Sequence, residues 1–450
     1  MNRRKFLTLS GTAVLTPAAL SLLASCGSPS STAASPGTTA AALPTTGAAT
    51  TAPAATTAAV TTAAAATTVA PATTAAPVKK EVRRVTLGFI ALTDAASLIM
   101  AKELGFFEKR SLDVTVAKQA SWPALRDALL NNQIDGAHCL YSMPFSVASK
   151  IGGPGSTDLK VAMILSNNGQ AITLAKEFAS VGYGDLTKAK ELFAKSQTPQ
   201  LAMTFPGGTH DLWLRYWLKA CGVDASTLKI GAVPPPQMVQ NMTVGTVKGY
   251  CVGEPWNAVA VTQGIGFTTL ATQDLWLNHP EKALVVGNTF ATERTDALED
   301  VMAAILEASK WLDDPTNRSK AADTLGQEKY VNAKPDDIRG RLTGVYKLGA
   351  DLPDKDFKGE QMQFFRDGQT NFPRRSYGIW ALAQYQRLGL LKETPDYKKL
   401  VDSIILTDLY TKVAKAAGIA VPDDDMKPFE VRLDKAMFDP AKPEDEVKRA

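Results

Sequence analysis

In this 450-residue chain the residues best arranged for chemistry lie in one short segment, Pro206-Gly207-Gly208-Thr209-His210-Asp211. It joins an apolar run, Leu201–Phe205, to an amphipathic stretch, Thr209–Cys221, so a glycine turn opens a helix there. The free N–H groups of a first helical turn and the positive end of the helix dipole favour an anion, and His210 adds a ring donor. By itself the turn is a weak signal, because a histidine in a first turn also serves as a cap or a solvated residue. The other chemistry-bearing patterns lead elsewhere. Gly152-Gly153-Pro154-Gly155 opens no helix and is not followed by Gly-Lys-Ser/Thr, so it is no phosphate loop. Cys139, Cys221 and Cys251 are widely spaced, with no Cys-x-x-Cys or His-rich partner, and read as small buried hydrophobes. Neither Gly-x-Ser-x-Gly nor His-Glu-x-x-His occurs, although spacing alone leaves a Ser/His/Asp triad open to the three histidines. The expected chemistry is binding, with no cofactor and no metal.

Positioning that turn falls to a body of alternating strands and helices that begins near Val82. Val85–Phe89 reads as a buried strand, Ala95–Leu104 as a helix closed by Gly105, and Asp113–Val116 as a strand. Ser121 caps a helix running through Leu125 and Leu129, and Ile134–Ala137 enters a third strand. This βαβαβ order predicts a parallel sheet. Strands at Val161–Leu165, Leu201–Phe205, Leu228–Val233 and Lys248–Val252, with helices at Leu186–Ala194, Thr209–Cys221 and Pro236–Thr243, predict a second α/β lobe. Beyond Thr292 the pattern is mainly helical, with apolar spacing in Leu298–Leu312 and Ser376–Leu388.

Length allows two or three lobes, and 45% hydrophobic with 21% charged residues are ordinary globular values. A net charge of +4 gives no basic footprint for nucleic acid, and no apolar run reaches the 18 or so residues of a membrane span. Arg3-Arg4-Lys5-Phe6-Leu7 ahead of an apolar stretch reads as an export signal that resembles the twin-arginine type. Leu23-Ala24-Ser25-Cys26 resembles a bacterial lipobox, in which the thiol of Cys26 accepts diacylglycerol. Residues 27–78 are uncharged and almost wholly Ala, Thr, Ser, Gly and Pro, too poor in large apolar groups to offset chain entropy. The organisation expected is a 1–26 export signal with lipobox, a 27–78 disordered Ala/Thr-rich tether with a reach of roughly 40 Å, and a 79–450 two-lobe solute-binding domain.

Four motifs carry a family resemblance: Phe205-Pro206-Gly207-Gly208-Thr209-His210-Asp211-Leu212-Trp213, Ala232-Val233-Pro234-Pro235, Cys251-Val252-Gly253-Glu254-Pro255-Trp256 and His279-Pro280-Glu281-Lys282. In this order, over residues 82–440, the chain resembles the nitrate/bicarbonate-binding lipoproteins of bacterial ABC importers. The resemblance implies an α/β, two-lobed periplasmic-binding-protein fold, type II-like, with a ligand cleft between the lobes and a helical C-terminal portion. It also implies a monomer, lipid-anchored at the periplasmic face of the inner membrane, that hands a small anion to a permease and its ATPase. Matched residue by residue, the family's ligand set falls on Trp122, Gln170, His210, the backbone of Gly253, and Lys282. For a planar ion such as nitrate these would supply an indole face or N–H, hydrogen-bond donors and a neutralising ammonium.

Lys282 also chooses between branches, since bicarbonate-binding members resemble this chain but close His-Pro-Glu-Glu with an acid suited to a calcium ion. An ammonium there makes metal unnecessary, so the ligand expected is nitrate, with nitrite tolerated. Where the family has Phe-Pro-x-Arg-Ser-His-Asp this chain has Phe372-Pro373-Arg374-Arg375-Ser376-Tyr377-Gly378, which loses the His-Asp pair. Bicarbonate, a sulfonate, and a sensing rather than delivering subunit are the alternatives within this fold. A thiamine-pyrimidine synthase of similar fold would need a cysteine-rich motif that is missing here.

Overall fold

Short β-branched runs alternate with longer amphipathic stretches from residue 81 onward, and the two periods set strand against helix. A computed structural model describes residues 81–195 and 200–449, so the export signal, Cys26 and the tether lie outside the described residues. The first four strands are β1 (Arg83–Phe89), β2 (Leu112–Lys118), β3 (Gly136–Leu140) and β4 (Leu159–Asn167). The next five are β5 (Gln170–Ala175), β6 (Leu201–Met203), β7 (Ile230–Ala232), β8 (Gly249–Gly253) and β9 (Gly266–Ala271), and β10 (Pro280–Gly287) follows. They form two five-stranded sheets, ordered β2-β1-β3-β10-β4 and β7-β6-β8-β5-β9.

The helices stand close to where the pattern puts them, at Ala96–Glu103, Thr209–Ala220, Thr295–Trp311 and Arg375–Arg387. Ser121 caps the helix Trp122–Leu130, its Oγ accepting from Ala124 N at 3.3 Å. The parallel sheet is borne out only in part. β1 runs parallel to β2 and β3, but β10 enters between β3 and β4 antiparallel to both. Sequence reading also passed over β5, β9 and β10 themselves. β10 opens on Pro280 and the charged Glu281 and Lys282, yet all eight of its residues are buried.

The chain crosses between the sheets twice, through Asn168-Gly169 and through residues 272–279. Gly169, at φ +88°, makes the first crossing sharp. Bonds tie the crossings together: Asn278 N donates to Asn168 Oδ1 at 2.8 Å, and Asn167 Nδ2 donates to His279 O at 3.1 Å. The helix Arg375–Arg387, in the helical portion that follows β10, touches both lobes. Its Tyr385 hydroxyl lies 2.9 Å from Ser142 O after β3 and 2.5 Å from Gly207 O after β6. Trp380 of the same helix packs against Trp213 and Trp276, with centroids 5.5 and 4.9 Å apart.

Candidate functional site

The start of β10 meets the glycine turn of the second lobe at the boundary between the sheets. Successive strand residues point to opposite faces, yet Glu281 and Lys282 touch, Nζ to Oε1 at 2.8 Å. Register shifts on either side of Lys282 against β4 explain this, because a bulge re-aims a side chain. Lys282 Nζ also donates to Asp94 Oδ2 at 2.7 Å, and all three groups are fully buried. Asp94 stands in the turn after β1, where His138 Nε2 donates to its Oδ1 at 2.7 Å and Gln170 Nε2 to its Oδ2 at 3.2 Å. Glu281 is held from the second lobe: Thr209 Oγ1 donates to Oε1 at 2.7 Å and Trp213 Nε1 to Oε2 at 2.8 Å.

The structure brings the five residues singled out from the sequence into this one cluster. Trp122 places its ring 5.8 Å from Lys282 Nζ and 5.9 Å from the ring of His138. Gln170 pairs with Gly253 across β5 and β8, and a Cβ on Gly253 would come within 3.2 Å of Asp94 Oδ2. His210 sets Nδ1 2.6 Å from Thr204 Oγ1 and Nε2 3.1 Å from Glu281 Oε1, a contact without hydrogen-bond alignment. Among the described residues, Trp122 Nε1 and His210 Nε2 are buried with no hydrogen-bond partner. Unpartnered buried donors are costly, and two of them around one ammonium fit an acceptor-only ligand.

Sequence reasoning missed Asp94 and His138 and gave Glu281 no task. One signal was available for His138: the chain holds three histidines, and His138, His210 and His279 all lie here, His279 Nδ1 being 3.8 Å from Glu281 Oε2. Lys282, read from the sequence as a neutralising ammonium, is already shared by two carboxylates, which the sequence reading did not foresee. Burial by itself would raise Asp94 and Glu281, but the Lys282 charge and the histidine contacts outweigh it and hold both below the usual carboxylate range. Burial would likewise lower Lys282, and Asp94 and Glu281 reverse that and raise it. Burial keeps the three histidines below their ordinary 6.5, His279 at about 4. The resting site therefore holds one ammonium, two carboxylates and neutral imidazoles.

Three backbone-directed bonds bring the lobes together beside it. Thr93 N donates to Glu254 O at 2.7 Å, Trp256 Nε1 to Ala91 O at 2.9 Å, and Ser142 Oγ to Gly207 O at 2.9 Å. Behind Glu281 lies an aromatic layer in which the departure Tyr377-Gly378 takes part. Tyr377 stands edge-on to Trp276 at 5.3 Å, and a Cβ on Gly378 would meet Phe145 at 2.8 Å. Burial pushes the Cys139 and Cys251 thiols far up, so neither is an activated nucleophile.

A family model described as the NMT1-like family matches residues 78–326, more than half of the chain. The chain belongs to the NMT1-like family. It is 39% identical over 381 residues to the nitrate/nitrite binding protein NrtA of Nostoc sp., covering 82% of this chain and 85% of that protein. To the bicarbonate-binding protein CmpA of Synechococcus elongatus it is 29% identical over 385 residues, covering 81% and 86%. The crystal structure of the periplasmic nitrate-binding protein NrtA from Synechocystis superposes with a TM-score of 0.78 at 35% identity, over 82% of this chain and 98% of that one. The two-lobed periplasmic-binding-protein fold and the family read from the motifs are borne out, and these relatives are binding proteins.

Proposed function

We propose that this protein is the extracytoplasmic solute-binding component of an ABC importer, capturing nitrate, with nitrite tolerated, between its lobes and delivering it to a membrane permease. The observation that carries this reading is the pair of unpartnered buried donors, Trp122 Nε1 and His210 Nε2, in the cluster around Lys282 Nζ at the lobe boundary. Nitrate oxygens only accept, so these two donors beside an ammonium suit them, while Asp94 and Glu281 are already engaged by Lys282 and other donors. In this reading Trp122, Gln170, His210, Lys282 and the Gly253 backbone are the ligand set, and a side chain at Gly253 would crowd Asp94. The higher identity to NrtA than to CmpA supports nitrate over bicarbonate. Cys26 carries the lipid anchor and residues 27–78 the tether, leaving residues 79–450 as the binding body of a monomer. Calorimetry of the detergent-solubilised full chain with nitrate, nitrite and bicarbonate, with and without Ca²⁺, tests the ligand. Calcium-dependent bicarbonate heat with no nitrate heat would replace this reading with the bicarbonate one.

A further inference from the structure

We propose that the cluster takes a second ligand together with the anion, one proton, and that it settles on His210. The inference rests on the anion-binding reading above. Asp94 and Glu281 carry two negative charges against the single positive charge of Lys282, and all three groups are fully buried. The neighbouring carboxylates Asp211 and Glu254 each have their own guanidinium, Arg215 at 2.7 Å and Arg341 at 3.5 Å, and so leave no positive charge over. A monoanion entering beside them would leave two uncompensated negative charges out of water. Proteins escape such a state by changing protonation, because an isolated buried charge costs more than a proton transfer.

His210 has the geometry to receive it. An imidazolium donates from both nitrogens, and Thr204 Oγ1 stands 2.6 Å from Nδ1 as one acceptor. Nε2 has no aligned partner among the described residues, lies 3.1 Å from Glu281 Oε1, and belongs to the proposed ligand set. His138 instead commits Nε2 to Asp94 and has no acceptor at Nδ1. His279 has an acceptor at each nitrogen, Thr272 Oγ1 at 2.8 Å from Nε2 and Pro280 O at 3.3 Å from Nδ1. It stands farther from Glu281 than His210 does, however, and lies outside the proposed ligand set, so an entering anion acts on it less directly. The charged and titratable groups facing His210 are Lys282, Glu281 and His279 from β10 and the turn before it, Asp94 from the turn after β1, and Asp211 on its own helix. Burial and Lys282 keep the ring neutral at rest, while Glu281 and Asp94 pull the other way. An added anion joins the second group and tips the balance.

The test is potentiometric titration of the detergent-solubilised full chain with neutral potassium nitrate in weakly buffered solution, with calorimetric Kd values from pH 6 to 9. The expected result is uptake of up to one proton per nitrate, with affinity falling as pH rises by as much as about tenfold per unit. Imidazole ¹⁵N signals, with three histidines to assign, should show the His210 ring alone becoming imidazolium when nitrate is added. His210→Gln, which keeps an N–H donor, should bind more weakly and with no pH dependence. Nitrate binding with no proton uptake and a flat pH profile would overturn the inference and leave the anion-binding reading standing. Uptake by another ring, or uptake that persists in His210→Gln, would overturn the assignment to His210, and absence of nitrate binding at every pH would overturn the functional reading itself.

Discussion

One ammonium at Lys282 serves two carboxylates and, in the proposed function, an anion as well, so its removal should be felt twice. Lys282→Ala is expected to weaken nitrate binding by roughly 30- to 4,000-fold, the equivalent of about 2–5 kcal/mol for losing one partner of a desolvated charge pair. The ligand-free protein should also lose about 3–5 kcal/mol, because Asp94 and Glu281 are left buried without a cation. Calorimetry and urea unfolding separate the two effects, and a variant that binds within threefold and unfolds at the wild-type midpoint would show that the ammonium does neither. Acid should act in two windows. His279, ordinarily near 6.5, is held at about 4 by burial, so its neutral form contributes stability that is lost as pH falls from 6.5 towards 4, on the order of 3 kcal/mol. Asp94 and Glu281, held below their ordinary 3.8 and 4.5, contribute stability present above those values and lost as pH falls further. Unfolding midpoints measured across pH 3 to 8 without nitrate should show both declines; a flat profile between 6.5 and 4 would mean that His279 is not buried in its neutral form.

At the scale of elements, the two crossings are where small changes should cost most. Gly169→Ala would place a methyl group 2.4 Å from Met362 Cε on a backbone at φ +88°, and a loss of about 1–3 kcal/mol is expected from chemical denaturation. An unchanged midpoint would mean that the crossing relaxes freely. The elements differ in how openly the sequence declares them. Thr295–Trp311 is legible because it carries a long amphipathic period against one buried face, and Thr209–Ala220 because a glycine turn opens it and charged residues recur along its sequence, although nine of its twelve residues are buried. β10 is not, because its polar opening Pro280-Glu281-Lys282 is buried by partners from other elements, Asp94, Thr209 and Trp213, that no local pattern contains. The same holds for the site. The glycine turn with His210 could be recognised from local chemistry, whereas Trp122, Gln170, Gly253 and Lys282 were reached only through family motifs. Asp94 and His138 stayed hidden because their role is to meet Lys282 across the fold.

For the whole molecule, a ligand shared between the lobes should compact and stabilise it. Small-angle scattering is expected to give a smaller radius of gyration with saturating nitrate, and unfolding should be harder by about 2.7 kcal/mol at a hundredfold excess over Kd. Identical dimensions with and without nitrate would count against closure. Cys26→Ser should release the protein from membranes or leave its signal uncleaved, which fractionation and N-terminal sequencing would show. β10 also imposes an order on how the chain comes together. The second sheet is built from one continuous stretch, residues 170–271, and can form while the rest is still being made. The first sheet cannot, since its fourth place is filled by residues 280–287, more than a hundred positions after β4. Long-range pairing of this kind is slow, and the edges of β3 and β4 stay exposed until it is complete. Because Glu281 and Lys282 arrive on β10, a chain interrupted before residue 280 has every strand of the second sheet, lacks the fourth place of the first, and has no ammonium for the proposed anion site.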